Sequence, residues 1–341
     1  MVGFIRPRMT RLPNFFIVGA PKAGTTSLFY YLDQHPQVYM SAIKEPNFFA
    51  AEVRGENCAP ELRRSIAGDA RNLRLFLDGP MHRKRFGGIV EDWEDYLRLY
   101  GNAGDKTSLG EASVSYLRSP SAAGRIAERI PNAKIIVMLR DPVERAFSQY
   151  LHGVANGAIH WSFHEHIQRN LRHRSGQFCV DFPFLEYGLY AQQLQRYLER
   201  FGQNVWIGFH ADFRSRPLTV FHEICRFLGV STDFSPDMNK HHLEAQVPRV
   251  RGLGWLRNSG FWRTAARMTP VGMRPLIRGG LMRKPGKISM DPAERDYLAG
   301  YYREDTERLA SMLGRDLSRW APEDRAATSG NSRRAGATGG C

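Results

Sequence analysis

The chain has 341 residues, 42% of them hydrophobic, and a formal charge of +14. That length buries a sizeable core in one large domain or two small ones. No apolar run reaches the roughly 18 residues of a membrane-spanning helix, and the basic balance calls for anionic partners: a nucleotide, an acidic polymer or a membrane surface. Cys58, Cys179, Cys225 and Cys341 show no paired spacing, so reduced thiols are expected. With no secretory signal pattern at the N-terminus, a cytoplasmic protein is expected, peripheral to a membrane at most.

In chain order, Asn14 to Gly19 is a short apolar run that stops at glycine, as in a strand buried on both faces of a parallel sheet. From Gly24 to about Gln34, Leu28, Tyr31 and Leu32 recur at helical spacing, and Pro36 ends the segment. Val38 to Met40 suits a second strand, and residues 51–90 read as loops with a helix near 61–76. Trp93 to Tyr100 reads as a helix, Thr107 to Gly110 as a short strand, and Ser121 to Arg129 as a helix with serine at its cap. Ile135 to Leu139 is another buried strand, followed by Arg140 and a helix that Asp141 caps and Pro142 opens. A helix at 189–201, a strand at 205–209, helices at 216–228 and 291–313, and a polar tail complete the pattern. Alternating strands and helices predict a single α/β domain over 12–320, with a central parallel sheet and helices on both faces. Residues 1–11 are an N-terminal extension and 321–341 an expected disordered tail.

The stretch FFIVGAPKAGTTSL, Phe15 to Leu28, nearly spells a phosphate-binding loop: Gly19, four residues, Gly24, then Thr25, Thr26 and Ser27. A nucleoside triphosphatase places lysine directly after the second glycine. Here Thr25 stands there, and Lys22 comes three positions earlier. A strand, a glycine turn and a helix N-terminus hold an anion by backbone N–H groups and about half a positive charge of helix dipole. Without the usual lysine, the turn suits a shorter anionic chain than a triphosphate, with Lys22 covering the group that caps the 5′-phosphate.

FIVGAPKAGTTSL and the later AKIIVMLRDPVERAFSQYLH, Ala133 to His152, together resemble sulfotransferases that use 3′-phosphoadenosine 5′-phosphosulfate (PAPS). KEPNFF, GEASVSYL, YAQQLQRYLERFG, FHEICRFLGV and LGRDLSRW extend the likeness from about residue 12 to 320, toward the branch of heparan-sulfate-type and bacterial carbohydrate sulfotransferases. The resemblance implies a kinase-like fold with a phosphate loop. Lys22, Ala23, Gly24, Thr25, Thr26 and Ser27 would hold the 5′-phosphosulfate, and Arg140 and Ser148 the 3′-phosphate. It implies Glu45 as catalytic base, Lys22 at the leaving oxygen, no metal, and the nucleotide PAP as product. Lys44 and Glu111 are weaker candidates for substrate contacts; Lys44 could instead touch the cofactor or only solvent, and a buried structural role suits Glu111 equally. Lys284 and Lys287, in LMRKPGKISMDP, are candidates for a further 3′-phosphate contact. Asn47 stands where heparan-type relatives often have histidine, and Ala112 where they have lysine, so the acceptor does not simply carry over.

From Ala245 to Met290 there are ten lysines or arginines and no acidic residue. The segment suits an anionic membrane, contacted through 249–287, an acidic glycan, or a helix pair over the active site; nucleic acid is not expected. His160, His164 and His166 lack partners for a convincing metal set. The function expected is sulfuryl transfer from PAPS to a hydroxyl or amine of a carbohydrate or glycolipid. The rivals are a nucleotide-dependent kinase with an altered loop and a membrane-associated adenine-nucleotide-binding protein without activity.

Overall fold

The computed structural model describes residues 11–57, 60–155, 158–172, 184–238, 247–248, 282–283 and 289–321. The run FFIVG forms strand β1, Phe15–Gly19, and all five residues are buried. A strand with no solvent-facing side belongs in the middle of a sheet, and β1 lies there. The chain continues through helix α1, Thr25–Asp33, to β2, Val38–Met40. Strand β5, Ser108–Ala112, inserts between β2 and β1, and β6, Lys134–Leu139, and β7, Val205–Phe209, follow on the other side. The order is therefore β2-β5-β1-β6-β7, with every pair parallel. Two-residue strands β3, Ile43–Lys44, and β4, Arg85–Phe86, pair as a separate parallel ribbon. Gly110 is required at its place in β5, because a Cβ there would lie 2.1 Å from the Phe15 ring.

Helices α2 (Pro60–Asp78), α3 (Trp93–Arg98), α4 (Ser115–Arg118) and α5 (Ala122–Arg129) fill the span before β6. After it come α6 (Pro142–Ala155), α7 (Phe163–Arg172) and α8 (Tyr190–Phe201), then α9 (His210–Ser215), α10 (Pro217–Leu228) and α11 (Pro292–Leu313). The main core packs both faces of the sheet, and a second cluster joins α6, α7 and α11 through Val143, Ala146, Phe163, Ile167, Leu298 and Tyr302.

Asp141 caps α6 as expected, its Oδ1 accepting from the N–H groups of Val143 and Glu144. Ser121 does not cap α5 with its side chain. Its Oγ accepts from Ala51 N–H instead, and the Ala122 N–H goes to Ser119 Oγ. Of the expected extension and tail, only Arg11 and Ala321 are described; Lys284, Lys287 and the basic segment 249–287, apart from Met282 and Arg283, also lie outside the described residues. Among the described residues no helix is long and apolar enough to cross a membrane.

Candidate active site

In an open parallel sheet, ligands bind beyond the carboxyl ends of the strands where the connections part in opposite directions. Here β1 leads toward β2 on one side and the neighbouring β6 toward β7 on the other. The turn after β1 and the residues after β6 flank that crevice.

The β1 turn is shaped for an anion. Gly24 precedes α1 with φ 87°, and no side chain caps the helix. The first helical bond runs from Leu28 N–H to Gly24 O, which leaves the N–H groups of the first turn for an outside acceptor. No acidic residue stands in that turn. Thr25 is buried, Thr26 and Ser27 are half-buried, and Ala23 is packed in the core. A Cβ at Gly24 would press on the Phe213 ring at 3.1 Å, so α9 closes one side of the loop.

Lys22 sits in this turn with φ 63°, in the left-handed region that a lysine seldom adopts. Its carbonyl accepts from Arg140 Nη1 at 3.0 Å, which ties the two halves of the crevice together. Burial, followed by the nearby Arg140 charge, pushes the Lys22 pKa down to about 8, while Glu45 pulls it back up. Arg140 is half-buried, and its own carbonyl accepts from Tyr190 OH at 2.9 Å. Burial also lowers its pKa, although no guanidinium loses its charge in the accessible range.

Glu45 approaches from the β3 side. Its φ is 68°, its N–H donates to Ala112 O at 2.8 Å, and Lys44 Nζ lies 2.7 Å from its Oε1. Lys44 is fully buried, its ammonium 4.8 Å from the centre of the Phe86 ring. The Lys44 charge is therefore already taken up by Glu45. Asn47 fixes this corner: Nδ2 donates to Glu45 O and Gly88 O, Oδ1 accepts from Ser115 Oγ at 2.6 Å, and its N–H donates to Ser113 Oγ. Asn47 is thus a backbone clamp.

Glu144, Ser148 and His152 recur every four residues on α6 and share one face. Glu144 lies beside Arg140. Burial and the Lys22 charge push the His152 pKa down, while Glu45 pulls it up. Ser148, between them, thus looks onto the crevice. Glu111 is placed otherwise. It is fully buried on β5, and burial raises its pKa to about 8 although hydrogen bonding to the hydroxyls of Tyr116 and Tyr96 works the other way. An acceptor does not reach it in this conformation.

Two histidines join the site without having been singled out. His152 is one. His210, the first residue of α9, places Cδ2 3.5 Å from the position of a Gly24 Cβ. Burial, then Arg140 and Arg214, hold its pKa at about 4, so it is a neutral imidazole beside the loop. The available signal was its place directly after a parallel strand. His166, by contrast, is a core residue, accepting from Trp161 Nε1 and stacked on Phe184. Among the described residues no three metal-binding side chains gather. A cleft of about 1100 Å³ opens between Arg11, Met81 and Tyr100, and no candidate residue lines it.

Sheet order, anion-ready turn and flanking basic groups define an anion-binding α/β protein of the phosphate-loop kind. The chain belongs to the sulfotransferase family, whose model matches residues 13–234. It is 31% identical to a sulfotransferase from Alicyclobacillus acidocaldarius in a crystal structure, with a TM-score of 0.64 over 91% of this chain and 99% of that one. It is 28% identical to the bifunctional heparan sulfate N-deacetylase/N-sulfotransferase 3 of Homo sapiens, and 28% to number 4 of Mus musculus, each over 92% of this chain. The chain spans about a third of the length of these curated relatives, 32% and 31%.

Proposed function

We propose that the protein moves a sulfuryl group from PAPS to a hydroxyl or amine of a carbohydrate or glycolipid and releases PAP. The observation that carries the reading is the junction of Arg140 with the Lys22 carbonyl at 3.0 Å. It sets a guanidinium beside an anion-binding turn, as a nucleotide that carries a second phosphate would need. The turn from Ala23 to Ser27 receives the 5′ end, and Arg140 with Ser148 the 3′-phosphate. In the reaction the sulfur–oxygen bond to the 5′-phosphate breaks and a bond to the acceptor forms. The acceptor proton passes to Glu45, and Lys22 neutralises the charge that grows on the departing phosphate oxygen. Lys44 orients Glu45. Relatives named for heparan sulfate N-sulfation favour a carbohydrate acceptor and keep an amine beside the hydroxyl.

Incubation with heavy-sulfur-labelled PAPS and a panel of glycans, amino sugars and glycolipids tests the reading by mass spectrometry. A labelled sulfate on a panel member is expected. Magnesium-dependent ATP turnover with no sulfate transfer would overturn it in favour of a kinase.

A further inference from the structure

The start of α6 carries a chain of charges that anchoring the helix does not require. Arg140 Nη2 lies 3.6 Å from Glu144 Oε2. The other oxygen of Glu144, Oε1, accepts from Arg295 Nη1 at 2.9 Å. Arg295 stands in the first two turns of α11, and its Nη2 is 3.7 Å from Asp141 Oδ2. Asp141 Oδ1 is already committed to the α6 cap. The signs therefore alternate from Arg140 through Glu144 and Arg295 to Asp141, joining the β6–α6 junction to α11, 151 positions from Glu144.

This arrangement bears on any anion that comes to Arg140. A phosphate there must displace Glu144 from Nη2 and then remain beside a carboxylate, at a half-buried position where like charges repel strongly. Arg295 offers Glu144 another partner at a shorter distance than Arg140 does. With Glu144 held by α11, Arg140 can turn its fork to the phosphate at smaller cost.

We propose that Arg295 is a positioning residue that draws Glu144 off Arg140, so that the C-terminal helix sets the preference for a nucleotide carrying a 3′-phosphate. The proposal rests on Arg140 being the 3′-phosphate ligand. It concerns residues that never touch the reacting sulfur, and it makes Glu144 an internal competitor of the donor.

The test is calorimetry of the full chain with PAP and with AMP, for wild type, Arg295→Ala, Glu144→Gln and the double variant. Arg295→Ala is expected to weaken PAP about 10-fold and AMP less than about twofold, because only PAP meets the released carboxylate. Glu144→Gln is expected to tighten PAP by roughly two- to fivefold, and in that background Arg295→Ala should lose most of its effect. An undiminished effect in the Glu144→Gln background would make Arg295 a direct ligand or a fold support and overturn the proposal. Weaker PAP binding by Glu144→Gln alone would also overturn it, and that variant decides the matter even where Arg295→Ala fails to fold. Should wild type itself hold PAP no more tightly than AMP, the donor reading fails and this proposal with it. Wild-type discrimination that Arg295→Ala leaves intact sinks the proposal only.

Discussion

Lys22 and Glu45, the two residues assigned to the chemistry, both hold left-handed backbone angles, φ 63° and 68°. Each conformation costs about 1–2 kcal/mol for a residue with a side chain, and such strain collects where function fixes a geometry. Glu45→Gln should cut turnover by roughly 10²- to 10⁴-fold while PAP binding survives; wild-type turnover in that variant would remove Glu45 from the proton transfer. The Lys22 pKa of about 8 gives a second test. If its ammonium meets the leaving oxygen, kcat/KM falls as pH rises through about 8, and Lys22→Arg shifts that limb to higher pH. The stability effect has the opposite sense. The folded pKa lies below 10.5, so the unfolded chain binds more protons across the window from about 8 to 10.5, and stability rises with pH there. Lys22→Met, with nothing to titrate, should lack that rise in urea denaturation. The sequence exposed Lys22, Gly24 and Arg140 because glycine, lysine and hydroxyl residues at fixed offsets carry their own chemistry. Asn47 was not legible as a clamp, since its partner Ser115 stands 68 positions away.

At the level of elements, the long buried strands and capped helices were readable because each announces itself locally. β1 and β6 are near-continuous apolar runs, and Asp141 and Asp291 each stand just ahead of a helix-opening proline. The β3–β4 ribbon was not readable, because two residues carry no periodicity and the pairing spans the whole of α2. Yet this ribbon delivers Lys44 and Glu45, and Asn47 keeps the following turn in place. Asn47→Ala removes hydrogen bonds from two carbonyls and one hydroxyl in a buried corner. A loss of about 1–3 kcal/mol in unfolding stability is expected, with turnover falling well beyond any change in PAP affinity. Equal losses of binding and turnover would show that the clamp supports the whole crevice and not the Glu45 corner.

Across the whole molecule, Glu111 takes the buried of its two expected roles, a carboxyl enclosed in the core among Tyr96, Tyr100 and Tyr116. Its sequence neighbours left the two roles open, because enclosure is set by the strands β2 and β1 that flank β5. Burial raises its pKa from 4.5 to about 8. The folded chain then binds the extra proton between those values, so this contribution to stability is full below about 4.5 and is lost as pH rises toward 8. Glu111→Gln should flatten the decline: chemical denaturation midpoints of wild type and variant, compared from pH 5 to 8, are expected to shift progressively in favour of the variant. Parallel midpoints would mean that Glu111 does not titrate in that range. The ribbon has a consequence at this scale too. Main-chain bonds on either side of β3, Ser41 N–H to Gly110 O and Glu45 N–H to Ala112 O, tie it to β5, the second strand of the sheet, while Phe86 on β4 is open to solvent. A change at Phe86 therefore reaches the Lys44–Glu45 pair first, through the ring that the Lys44 ammonium faces, and only beyond it the turn after β1.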